Sequence, residues 1–170
     1  MACRGDVAYG SPDGRFRMVI GDDQLGTIRH LCLASHPLET GGVLIGQYNA
    51  GLDTATVTRV TGPPSDSQRK RTSFYRGTQG LQELLRALWP KEEYYLGEWH
   101  YHPGSSPEPS AEDVRRMQEI ANSDQANCPE PLLLVVGNGY ALTAHVFPRQ
   151  QGTLRLDPEG PQSLMEIMND

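Results

Sequence analysis

Residues 97–113 read GEWHYHPGSSPEPSAED, and they leave the chain few ways to fold. The aromatic-rich run at 94–102 favours a strand, whose side chains alternate between faces, so His100 and His102 point the same way. The proline- and glycine-rich stretch that follows forces a turn. Ser110, with Asp113 three residues on, approximates the capping box that opens a helix. Strand, turn and helix bring two imidazoles and one carboxylate together. That is an open three-ligand set for zinc, with the fourth tetrahedral position left to water, as in catalytic rather than structural sites. The plainer reading of the same residues is a hydrogen-bonded histidine pair beside an ordinary helix cap.

Upstream, residues 37–46 (PLETGGVLIG) set Glu39 before a glycine pair, which alone suits a solvated turn before a strand. Combined with HxHP, a six-residue gap, Ser110 and Asp113, it resembles the JAMM metalloprotease family, also called MPN+ or JAB. The family motif is a Glu upstream of HxH, ten residues and Asp. Glu39, His100, His102 and Asp113 match it position by position, and Ser110 matches the family serine. GEWHYHPGSSPEPS is most similar to the prokaryotic JAB branch, including members from bacterial antiphage (CBASS) operons. The resemblance spans roughly residues 15–147. Tyr101 departs from it, since many members carry Ser or Thr there. Facing away from the metal, it should affect packing and not ligation.

The resemblance implies an α/β fold, a single MPN domain with a central mixed sheet flanked by helices in cytidine-deaminase-like layering. It implies Zn2+ held by His100, His102 and Asp113, with Glu39 as general base and Ser110 stabilising the oxyanion. The reaction would be isopeptide hydrolysis. By composition, residues 61–77 are a solvated, locally basic loop; the family instead uses an insertion here to hold the substrate's extended tail. Arg71, Thr72, Ser73 and Phe74 are the candidate contacts, pairing with the tail by strand addition. The partner expected from the antiphage members is a cyclic-oligonucleotide synthase (a CD-NTase) conjugated through its own C-terminus. A ubiquitin-like protein is the close alternative.

The rest of the chain fits one domain at residues 15–148, between a loose leader (1–14) and a C-terminal tail (149–170) with little signal. Strands are expected at 15–20, 42–48, 54–60, 94–102, 131–137 and 140–147. Helices are expected from Asp22, with Leu25, Ile28, Leu31 and Cys32 inward, and at 78–89 and 110–122. Three cysteines without a CxxC (Cys3, Cys32, Cys128) suit the reducing cytoplasm. Cys128 reads as structural, though it is the cysteine best placed to approach the metal. A formal charge of −6 argues against a nucleic-acid groove, and no apolar run approaches a membrane span. Two other readings compete. One is a non-catalytic MPN scaffold that binds partners; the other is a cupin-type metal enzyme with His145 as its later ligand, which the two amphipathic helices fit poorly.

Overall fold

Apolar side chains alternate along most strands so that one set turns inward and the other meets helices. The computed structural model describes residues 5–159. In order they form β1 (Val7–Gly10), β2 (Arg17–Ile20), α1 (Asp22–Ser35), β3 (Thr40–Tyr48), β4 (Thr54–Val60), β5 (Gln68–Arg69), β6 (Phe74–Tyr75), α2 (Leu81–Leu88), β7 (Tyr94–Tyr101), α3 (Ala111–Asn122), β8 (Leu132–Val136), β9 (Leu142–Val146) and β10 (Leu154–Pro158). The main sheet runs β1-β10-β9-β8-β7-β3-β4-β2 and closes on itself, while β5 and β6 form a separate hairpin. It is mixed: β2–β4 and β7–β8 are parallel and the other pairs antiparallel. The mixed α/β architecture matches the expectation from sequence, and closure of the sheet is the addition.

The inner face gathers Met18, Leu44, Trp99, Tyr101, Leu134 and Val136, with Leu25, Ile28 and Cys32 of α1 packed among them. The intervening residues of β8, Leu133 and Val135, face outward under Met117 and Ala121 of α3. Val43 and Ile45 of β3 likewise meet Leu88 of α2. Trp99 and Tyr101 thus fix which face of β7 is inside. A register slip of one residue would move both to the polar outer face and put His100 in the apolar interior, where its ring nitrogens would lose their partners. A parallel pair needs a crossover, and α3 provides it between β7 and β8. The N-terminus of α3 therefore starts just beyond the C-terminal end of β7, on its outer face.

Gly97 is required by the close approach of β8. Its φ is +151°, and a Cβ there would stand 1.9 Å from the Leu132 carbonyl oxygen. It adjoins a bulge, where the β3–β7 register shifts between Leu44 and Ile45.

Three expectations are corrected. Residues 7–10, expected in a loose leader, form β1, because Val7 and Tyr9 are buried and the strand pairs with both β2 and β10. The stretch expected to be tail contributes β10, whose Leu156 is buried. The remaining leader and tail expectations, and Cys3, fall on residues 1–4 and 160–170, outside the described residues. Helix α2 begins at Leu81, not 78: Gly80 takes a left-handed φ of +78°, and the Asp66 carboxylate accepts the N–H groups of Thr78 and Gln79. Among the described residues no helix is long and apolar enough to cross a membrane.

Candidate metal centre

With Trp99 and Tyr101 committed to the interior, Glu98, His100 and His102 fall on the outer face of β7, where α3 begins. Potential ligand atoms of His100, His102 and Asp113 all lie within 4.8 Å of one another, and all three residues are buried. His100 Nδ1 is 2.9 Å from Asp113 Oδ1, and His102 Nε2 is 3.3 Å from Asp113 Oδ2. Ser110 caps α3: its hydroxyl accepts the Asp113 N–H, and its own N–H and hydroxyl donate to Asp113 Oδ2. The capping box and the candidate ligand set therefore share one carboxylate.

The other nitrogen of His100, Nε2, lies 3.0 Å from Glu98 Oε2. Burial works against charge on His100, but hydrogen bonds to Asp113 and Glu98 and the charges of both carboxylates raise its pKa to about 9. Burial also pushes Asp113 up, yet hydrogen bonds from His100, His102 and Ser110 bring its carboxyl well below the ordinary range. Glu98 shows the same balance, held down by His100 and Arg76 against burial. The groups favour positive charge between them, which is what a metal cation would supply. A buried histidine–histidine–carboxylate donor set, backed by a carboxylate on the far nitrogen of one histidine, fits a divalent metal ion of the kind zinc is.

Glu39 sits immediately before β3, which pairs with β7 so that Gly41 opposes His100. It is half-buried. Burial raises its carboxyl pKa, and charge on Asp113 adds to this while His102 and His100 offset it. Its N–H donates to the Lys70 carbonyl in the turn that joins β5 to β6. Gly41 is small for a reason: a Cβ there would meet the Trp99 carbonyl oxygen at 2.3 Å and the Phe74 ring at 2.7 Å. We expect Gly41→Ala to lower unfolding stability by about 1–3 kcal/mol, the usual cost of overpacking. Denaturant titration would check this; an unchanged midpoint would mean that both β7 at Trp99 and the Phe74 ring give way at no cost.

A cleft of about 340 Å³ joins Glu39, His102, Ser110 and Asp113 to Thr72, Ser73 and Phe74 of the hairpin. Phe74 packs edge-on against His100, with ring centres 5.4 Å apart. Of the sequence-derived substrate contacts, Thr72, Ser73 and Phe74 line this cleft, whereas Arg71 is exposed and does not. A larger cleft of about 810 Å³ runs along α2, but the candidate ligands do not border it, so chemistry and not volume selects the site.

Cys128 does not approach the metal set. It precedes β8, which runs parallel to β7, so it lies near the Gly97 end of that pair and not the His102 end. There it contacts Tyr48, and burial pushes its thiol up to about 11. His145 also stands outside the set, 3.6 Å from Glu108, which removes the ligand needed by the cupin reading. Tyr101 faces inward as expected, stacked on Tyr140. Sequence reasoning missed Glu98 and Arg76. The signal for Glu98 was present, since it precedes His100 by two residues on the same strand face.

Residues 22–150 match the family described as prokaryotic homologues of the JAB domain. A CD-NTase/cGAS isopeptidase of Enterobacter hormaechei subsp. hoffmannii is 41% identical over 155 residues, covering 89% of this chain and 86% of that protein. The probable metalloprotease y4qB of Sinorhizobium fredii is 32% identical over 108 residues, 61% of this chain and 65% of that one. Protein DSY2949 from Desulfitobacterium hafniense, solved in solution, shares the fold with a TM-score of 0.62 at 19% identity, over 81% of this chain and 88% of that one.

Proposed function

The chain belongs to the prokaryotic JAB family, and on that premise we propose that it is a zinc-dependent isopeptidase, a hydrolase that cuts the amide bond at the end of a conjugated protein's extended C-terminal tail. The observation that carries this reading is the convergence of His100, His102 and Asp113 at a cleft that His102 and Asp113 line together with Glu39, Ser110 and the hairpin tip. A partner-binding scaffold has no use for that ligand set.

His100, His102 and Asp113 would hold the zinc, which would supply Lewis acidity at the site and make water there more acidic. Glu39 takes the proton from the attacking water, a role that suits a carboxylate whose basicity is raised by burial. A new C–O bond forms at the carbonyl carbon. Ser110 donates its hydroxyl hydrogen to the developing oxyanion while still accepting the Asp113 N–H; to do so the hydroxyl turns away from Asp113 Oδ2. Glu39 passes the proton to the departing nitrogen, the C–N bond breaks, and the amine leaves neutral.

Selectivity comes from the β5–β6 hairpin, which pairs with the extended tail by strand addition. The partner is a CD-NTase joined to its target through its own C-terminus, so that the enzyme reverses that conjugation in antiphage defence; a ubiquitin-like protein is the second candidate. The relative named a CD-NTase/cGAS isopeptidase supports the first. The reaction belongs in the cytoplasm, where Cys32 and Cys128 remain free thiols. The test attaches a reporter to the C-terminus of each candidate and follows its release with and without a chelator. Chelator-sensitive cleavage after the CD-NTase tail is expected. Phe74→Ala should reduce kcat/KM on that reporter by about tenfold, or ~1.4 kcal/mol of transition-state stabilisation. Equal cleavage of unrelated unfolded peptides would show that the hairpin selects nothing.

A further inference from the structure

Directly after β6 the chain turns inward at Arg76, whose side chain is only 13% exposed. Its Nε donates to Glu98 Oε1 at 2.8 Å, and the second oxygen of Glu98 faces His100 Nε2 at 3.0 Å. Arg76 Nη1 also donates to the Gly77 carbonyl, and the Tyr95 hydroxyl donates to Glu98 Oε1, so the guanidinium and the carboxylate are both fixed. Glu98 and His100 side chains are 6% and 2% exposed, so water does not substitute for these contacts.

We infer that Arg76 and Glu98 are positioning residues, a relay through which the β5–β6 hairpin holds His100 in its metal-binding orientation. An imidazole has two nitrogens, and only one can face Asp113. Glu98 accepts the Nε2 hydrogen, which leaves the Nδ1 lone pair on the Asp113 side, where a cation would sit. Arg76 keeps Glu98 turned toward the ring from the opposite side. Phe74 closes the third side of His100 from the same hairpin. The element proposed to bind the substrate tail is thus joined to one ligand by a continuous chain of buried contacts, whose first link spans the 22 residues from Arg76 to Glu98.

This inference rests on the zinc reading above, and its test separates the two. Zinc affinity of the full chain is measured by competition with a chromophoric chelator, and the visible spectrum is recorded with Co2+ in place of zinc. Glu98→Ala should weaken zinc binding by about 10- to 100-fold and alter the Co2+ bands. Arg76→Met should weaken it by a smaller factor. Because Arg76 acts through Glu98, the double variant should bind no more weakly than Glu98→Ala alone. If Glu98→Ala folds poorly, Glu98→Gln serves instead: it keeps an oxygen for Nε2 but sets an amide against Arg76, and an intermediate loss is expected. Additive losses in the double variant, or unchanged affinity in both Glu98 variants, would overturn the relay while leaving the zinc reading intact. Absence of zinc binding by the unaltered protein would overturn both.

Discussion

Glu39→Gln is expected to lose at least ~10²-fold in kcat while keeping its zinc and its melting temperature, the loss that follows when a general base is removed. The prediction is sharp because the side chain and the backbone of residue 39 do different things. The backbone N–H, bonded to the Lys70 carbonyl, ties the start of β3 to the turn of the hairpin, and glutamine leaves that bond in place. The carboxylate lines the cleft beside His102 and Asp113 but is absent from the group of three that could hold a cation. Glutamine preserves volume and hydrogen bonding and removes only basicity. Metal analysis and kinetics on one preparation decide the case. A variant that comes out depleted of zinc would move Glu39 into the ligand set. Retained turnover would assign proton transfer to another group.

The sequence made the two histidines and Asp113 legible because their placement depends on local rules. Strand alternation put His100 and His102 on one face, and the capping pattern put Asp113 at the start of α3. The same alternation carried Glu98, but a glutamate on a strand is usually solvated, and nothing local shows that Arg76 will meet it. That pairing exists only once the hairpin folds back over β7. β1 and β10 were unreadable for a related reason. Val7–Gly10 ends in a glycine and Leu154–Pro158 ends in Asp157 and Pro158, residues that read locally as turn, and their pairing joins Tyr9 to Pro158. Their strand character comes from closing the sheet, a tertiary cause. Gly41 looked like a turn residue ahead of a strand starting at Gly42; it lies within β3, where it leaves room for Trp99 and Phe74.

Asp113→Asn should bind almost no zinc and show no activity above background, although the helix it starts stays folded. One oxygen of the asparagine can still accept the Ser110 N–H, so the cap is largely kept. The other position becomes an NH2 facing His100, where Asp113 Oδ1 now lies at 2.9 Å, and an amide nitrogen neither ligates a divalent cation nor accepts a histidine hydrogen. Ser110→Ala removes the opposite half of the arrangement. It deletes the hydroxyl that bonds Asp113 N and Oδ2 while leaving the carboxylate beside both histidines. That variant should keep roughly one zinc per chain, lose about 0.5–2 kcal/mol of stability as a missing N-cap does, and turn over at least ~10²-fold more slowly for want of its oxyanion donor. Zinc content, denaturant midpoint and kcat measured on both variants separate the jobs that this capping box combines. If Ser110→Ala lost stability but no activity, Ser110 would be a helix cap alone. If Asp113→Asn kept its zinc, the carboxylate would be no ligand, and the open three-ligand site would have to be rebuilt around another residue of the cleft.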